Sequence, residues 1–144
     1  MYNNLITVET AKLAKEKIES FYYENAYYEV LKDTYHESGH NGNVYLAYKK
    51  GQIVYSDEPP FETDCVKIGN AYTQSMLQKI LRDDYKIHVS IHYVDADFGY
   101  QSVCTTMVNN TEFYESDGCK TYEDALEVGL ANALKTLNII NNQI

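Results

Sequence analysis

An α+β fold is predicted by three features of the second half of the chain. Apolar residues recur at helical spacing over residues 73–85 and 121–137, and they alternate with period two over 87–94. Between the two helices, turns rich in Asn, Asp and Gly separate three short β-prone runs. The order helix, three antiparallel strands, helix puts both helices on one face of a small antiparallel sheet. That α-β-β-β-α order matches the topology of the double-stranded-RNA-binding domain, as an analogy of fold and not of function. An N-terminal helix plus a β-hairpin are expected before it. With 144 residues, the chain suits one α+β domain, 1–144, made of an N-terminal part, 1–70, and the α-β-β-β-α unit, 71–144.

The first element is a helix over about Val8–Glu19. Thr7 is a good N-cap and Glu9 sits in the first turn, where the helix dipole favours an acid. Ala11, Leu13, Ala14 and Ile18 form its apolar stripe, with Lys12, Lys15 and Lys17 mostly on the wet side. Residues 20–40 read as short extended segments or a broken helix, because Phe21, Leu31 and the tyrosines fit either period. Gly39, Asn41 and Gly42 mark a turn. Val44–Tyr48 and Gln52–Tyr55 then flank Lys49-Lys50-Gly51 and predict a hairpin with Gly51 at positive φ. Residues 57–71, which hold both prolines, Pro59 and Pro60, read as a long loop.

In the second half, Thr73 caps a helix whose apolar face is Met76, Leu77, Ile80 and Leu81, ending near Tyr85. The strand that follows presents Ile87, Val89, Ile91 and Tyr93 on one face and His88, Ser90 and His92 on the other. Asp95-Ala96-Asp97 turns the chain into a strand over 99–108, and Asn109-Asn110 turns it again into 111–116. Thr121 caps the last helix, with Asp124 placed as in a capping box. The buried face of that helix is expected to be Tyr122, Ala125, Leu126, Gly129, Ala133, Leu134 and Leu137, with Leu130 in the same stripe and Glu127 on the wet side.

Charge narrows the function classes. The chain has 21 acids against 12 Lys and Arg, a net charge of -9. Residues 87–134 hold Asp95, Asp97, Glu112, Glu115, Asp117, Glu123, Asp124 and Glu127 against Lys120 alone. Nucleic-acid binding requires the opposite sign, so no nucleic acid is expected as a partner. A basic protein surface suits the acidic half, and the same charges also serve as a solvated face that favours solubility. Fifteen tyrosines and no tryptophan suit half-buried sheet faces and wet interfaces. No apolar run is long enough to span a membrane, and no signal-peptide pattern opens the chain. Three cysteines, Cys65, Cys104 and Cys119, without C-x-x-C spacing argue against a disulfide framework and for a reducing compartment.

Four segments carry a family resemblance. They are Thr7–Lys17, Thr73–Arg82, Ile87–Val89 and Thr121–Leu130. Together they resemble small uncharacterised proteins of Bacteroidales phages, prophages and mobile elements, over residues 5–18 and about 70–138. Residues 20–70 depart from that family in length and content. The resemblance implies a phage or mobile-element product acting in the cytoplasm of a bacterial host. It brings no activity and no site residue.

Several constellations bear on chemistry. His36-Glu37-Ser38-Gly39-His40 is a literal H-E-x-x-H, the zinc pair and general base of a metalloprotease when carried on a helix. Gly39 interrupts that helix and Asn41-Gly42 follow at once, so His36 and His40 are weak metal candidates, better read as a solvated loop. His88 and His92 stand about 13 Å apart along a strand, too far for one ion. Asp95–Gly99 lacks the Gly and Glu spacing of a calcium loop. No Gly-rich phosphate loop is present, and no cofactor is expected. Lys49, Lys50 and Arg82 are the scarce cations available to a small anionic ligand.

The leading expectation is therefore a non-enzymatic accessory protein that binds a host protein with a basic surface, a defence or regulatory component. Its candidate binding residues are Tyr22, Tyr23, Asp95, Asp97, Glu112, Glu115, Glu123 and Asp124. The alternatives are a protein that sequesters a signalling nucleotide and, behind it, a zinc hydrolase using residues 36–40.

Overall fold

The computed structural model describes residues 4–18, 23–37, 42, 44–61 and 63–142. Helix α1 is Val8–Lys17, and Thr7 caps it as expected, its Oγ1 accepting from the Thr10 N–H at 3.2 Å. Strands β1 (Ala26–Val30), β2 (Thr34–Glu37), β3 (Val44–Tyr48), β4 (Ile53–Ser56) and β5 (Cys65–Asn70) follow. Helix α2 is Gln74–Tyr85, then come β6 (Ile87–Asp95), β7 (Gly99–Thr106), β8 (Thr111–Glu115) and α3 (Tyr122–Asn142). The architecture is α+β, with three small antiparallel sheets ordered β4-β1-β5, β2-β3 and β6-β7-β8.

The second half follows its sequence pattern closely. Both α2 and α3 pack on the β6-β7-β8 sheet and on each other. Leu77, Ile80 and Leu81 of α2 and Leu126, Leu130, Leu134 and Leu137 of α3 are buried against Ile87 and Val89. Gly129 lets α3 settle onto the strands, since a Cβ there would lie 2.8 Å from Val89 Cγ1 and from Ser102 Cβ. The same cluster takes in Ile6, Ala11, Ala14 and Tyr27, so α1 and β1 share this core.

The first half departs from its pattern in two ways. The hairpin expected within residues 44–55 does not form. β3 pairs with β2, and β4 pairs with β1. The two pairings are halves of one ribbon. From Ala26↔Ser56 the ladder runs to Glu29↔Ile53, continues through Val30 N–H to Gln52 O at 2.9 Å, and resumes from Thr34↔Tyr48 to Glu37↔Val44. Lys49–Gln52 closes a turn with Gly51 at φ +89°, as the sequence suggested. That turn is a corner within the returning strand. The opposite strand answers it at Leu31–Asp33, where Asp33 Oδ1 accepts from the Lys50 N–H at 2.7 Å. The reversal lies between β2 and β3, where Gly39 and Asn41 fall outside the described residues. Second, the expected loop over 57–71 contains β5, which pairs with β1 and carries Gly69 against α1. Of the two readings open for residues 20–40, the extended one holds over the described part, as β1 and β2.

Four helix side chains sit differently from their periodicity. Met76 is exposed, and Gln74 is buried in its place at the start of α2. Tyr122 is exposed at the first residue of α3. Glu127, expected on the wet face, holds a polar knot between three elements. Its Oε2 accepts from Thr7 N–H at 3.0 Å, Thr7 Oγ1 at 3.1 Å and Thr10 Oγ1 at 2.5 Å. Its Oε1 accepts from Gln74 Nε2 at 3.0 Å, and that amide also donates to the Glu123 carbonyl at 2.9 Å. The reason is geometric: α1 packs on α3, so the side of α3 that looks polar in isolation faces the α1 N-cap.

Candidate functional site

The chemistry concentrates where β6 turns into β7. Asp95 Oδ1 accepts from the N–H groups of Asp97 at 3.0 Å and Phe98 at 2.7 Å, which closes the turn. Gly99 lies at φ +87°, and a Cβ there would fall 2.2 Å from the Cys119 carbonyl oxygen. A Cβ on Gly118 would fall 2.1 Å from the Phe98 carbonyl oxygen. These two glycines let the segment after β8 lie against the turn. There Tyr100 and Cys119 exchange N–H to carbonyl hydrogen bonds, both 2.8 Å. The chain is thereby delivered to the start of α3 at the same end of the sheet.

Three tyrosines meet at this end. Tyr93 on β6 lies opposite Tyr100 on β7, with ring centroids 5.3 Å apart and an interplanar angle of 65°. Tyr122 adds a third ring, 6.3 Å from Tyr100 at 82°. Both contacts are edge-to-face, the arrangement that ring quadrupoles favour. Ile87 and Val89 at the other end of β6 are buried under the helices, but Tyr93 is 61% exposed and Tyr122 44%. Val94 and Phe98 are exposed beside them in sequence. The apolar face of β6 thus runs out beyond the buried core and ends as an aromatic shelf.

The shelf sits among carboxylates. Asp95 and Asp97 belong to the turn, Asp117 to the approaching segment, and Glu123 and Asp124 to the first turn of α3. Thr121 Oγ1 accepts from the Asp124 N–H at 3.0 Å, so the cap read from the sequence is present. The two acids there favour the helix dipole, which accounts for part of their presence. They also create a negative potential: burial first, and then Asp124 and Asp117, push the Cys119 thiol pKa up. Among the described residues the one ion pair is Arg82–Asp83 at 3.0 Å, so none of these five acids has a countercharge within 4 Å there.

The other candidate residues are dispersed. Glu112 lies opposite Thr105, towards the far end of the sheet, and Glu115 lies opposite Val103 on the edge strand β8. Tyr23 is half-buried, its ring 4.7 Å from Tyr72 and its hydroxyl accepting from the Thr73 N–H at 3.4 Å, so it braces the core margin. Tyr22 and His40 lie outside the described residues. His36 belongs to an extended strand, with its ring 5.5 Å from Tyr45, so the H-E-x-x-H segment starts as β2 and not as the expected loop. Among the described residues no three His, Cys, Asp or Glu side chains are grouped to hold a metal. Lys49 and Lys50 stand at the ribbon corner, whereas Arg82 is engaged by Asp83 on α2, whose packing partners are β6 and α3.

Cys104 is buried, donates to the Gly129 carbonyl at 3.3 Å, and has its thiol pKa pushed up to about 12 by desolvation. Desolvation thus keeps it as the thiol at pH 8, a poor nucleophile. Native protein treated with a thiol reagent at pH 8 is expected to spare Cys104 and to label it only on unfolding. Mass mapping of the labelled peptides checks this; rapid native labelling of Cys104 would show that the α3–sheet contact opens.

Sequence reasoning assigned Tyr93 and Tyr122 to the buried faces and left Tyr100 without a role. The signal that locates the shelf is the tight turn itself. A turn at Asp95–Gly99 sets Tyr93 opposite Tyr100 where β6 runs past the buried cluster, which leaves Tyr93 exposed and Tyr100 half-buried. No helix among the described residues is long and apolar enough to cross a membrane. Neither a protein-family model, nor a curated protein, nor a solved structure matches the chain.

Proposed function

We propose that the protein is a non-enzymatic binding module whose shelf of Tyr93, Tyr100 and Tyr122 captures a basic segment of another protein. The observation that carries this reading is the edge-to-face row of exposed Tyr93, half-buried Tyr100 and exposed Tyr122, beside carboxylates with no ion-pair partner among the described residues. Guanidinium groups stack on tyrosine faces and pair with carboxylates in a bidentate way, so arginine is the natural counterpart. Asp97, Glu123 and Asp124 supply the charge, while Asp95 shapes the turn. The same negative end repels phosphate, which disfavours nucleic acid. The resemblance to phage and mobile-element proteins supports a host protein as the target, a defence or regulatory component met in the bacterial cytoplasm.

Titration with hexa-arginine and hexa-lysine peptides, followed by amide NMR, tests it. The expected result is saturable shifts confined to residues 93–100 and 117–124, stronger for the arginine peptide and weakened by salt. The double variant Tyr93→Ala/Tyr122→Ala should weaken arginine-peptide binding about tenfold, the loss of two cation–π contacts of about 0.5–1 kcal/mol each. Shifts that spread evenly over Glu112, Glu115 and the other acids, and that ignore the tyrosine variants, would reduce the shelf to a patch of diffuse charge.

A further inference from the structure

We infer that the β2–β3 arm of one copy docks on the tyrosine shelf of a second copy, giving a reciprocal two-fold pair. This rests on the shelf being a docking site, and it names a second copy of the chain as an occupant. An isolated two-stranded ribbon is marginal in water and requires cover. Among the described residues β2 and β3 pack chiefly on each other. Tyr35 and Leu46 are paired on one face, with Val44 two residues along on the same side. Tyr35 is 61% exposed, Val44 64% and Leu46 45%, and Tyr45 on the opposite face is exposed as well. Scattered exposed apolar residues are ordinary, but Tyr35, Val44 and Leu46 on one face of a short ribbon form a patch suited to contact with another surface.

Charge complementarity selects the occupant. The ribbon corner carries Lys32, Lys49 and Lys50, all exposed, with Asp33 Oδ1 engaged by the Lys50 N–H. The chain as a whole is at -9, and these exposed lysines give the root of the arm a local charge opposite to that of the shelf. The shelf has the converse character: exposed rings with Asp95, Asp97, Asp117, Glu123 and Asp124 around them. Arm and shelf lie on different sheets of the chain, so two copies related by a two-fold axis make the contact twice. Host partner and second copy then compete for one surface, and self-association holds the shelf until a basic partner displaces the arm.

Sedimentation velocity across a range of protein concentrations tests the inference, with hexa-arginine as the competing probe. The parent is expected to dimerise. Leu46→Asp on the arm and Tyr93→Ala/Tyr122→Ala on the shelf should each weaken the dimer at least tenfold. Because Leu46 is solvent-exposed, its variant should keep the parent circular dichroism, and Lys49→Glu/Lys50→Glu provides a second arm variant. An equimolar mixture of arm and shelf variants should recover a hetero-pair with one intact contact. Hexa-arginine should dissociate the parent dimer. A parent that stays monomeric at about 0.5 mM, well above the micromolar range of ordinary complexes, while hexa-arginine still binds the tyrosines, overturns the arm inference and leaves the binding function standing. A dimer indifferent to both sets of variants also overturns it. Loss of both self-association and peptide binding removes the two readings together.

Discussion

Truncation of Leu77 or Leu126 to alanine is expected to cost about 2–5 kcal/mol each, the usual penalty for opening a cavity where a leucine was packed. Both side chains are buried in the one cluster that joins α2, α3 and β6. The environment there allows little collapse, because α3 is held close to the strands at Gly129. Against a total stability of about 5–15 kcal/mol, either loss is large. Met76→Ala is the matched control. It lies one residue from Leu77 on the same helix but is exposed, so its change should stay within about 0.5 kcal/mol. Urea unfolding curves with equal slopes for all three variants give the comparison directly. Leucine variants that unfold at the parent midpoint would mean that the two helices do not share a core with the sheet.

The second half was legible because its signals are local and agree with one another. Thr73 and Thr121 cap the helices where they were placed, with their Oγ1 atoms bonded to Met76 and Asp124 N–H groups. The alternation from Ile87 to Ile91 and the Asn109-Asn110 turn set the sheet, with Asn110 at φ +59°. The first half was less legible because its decisive pairings are between distant residues. Lys49-Lys50-Gly51 carries true turn chemistry, and Gly51 adopts the positive φ that chemistry implies. Whether such a turn reverses a hairpin or puts a corner in one depends on what the opposite strand does at Leu31–Asp33, which no local pattern states. β5 was hidden for a similar reason. Its four central residues, Val66 to Gly69, are too few to show a period, and the two prolines upstream suggested a loop. Of the candidate site, the acids at 95, 97, 123 and 124 were legible as charge and are gathered at one end of the sheet. Tyr23 failed as a surface residue because hydrophobic pattern does not distinguish a tyrosine on the core margin from one in water.

Glu127→Ala is expected to destabilise the protein by about 2–4 kcal/mol, although the helical wheel of α3 places Glu127 on its polar side. The carboxylate is the shared acceptor for Thr7 N–H, Thr7 Oγ1, Thr10 Oγ1 and Gln74 Nε2. Thr10 and Gln74 are buried, so their donors have little water to turn to when the acceptor is removed. A hidden donor left unsatisfied costs about 1–3 kcal/mol, and bonds to a charged acceptor are at the stronger end of that scale. The knot also ties the N-cap of α1 and the first residue of α2 to the second turn of α3, so its loss loosens the joint between the two halves of the chain. Glu127→Gln separates the contributions. It keeps one acceptor oxygen and the volume, gives up the charge, and brings an amide N–H that faces the donors; its cost should fall between those of parent and alanine. Thr10→Val in the Glu127→Ala background supplies the cycle: with the carboxylate gone the hydroxyl keeps only Thr7 Oγ1, at 3.1 Å, so its replacement by a methyl should cost less there than in the parent. Urea unfolding of the five proteins, parent included, measures both. If Glu127→Ala proves silent and the Thr10→Val effect is the same in both backgrounds, α1 does not dock on α3 through this carboxylate and the joint must be held by Ile6, Ala11 and Ala14 alone.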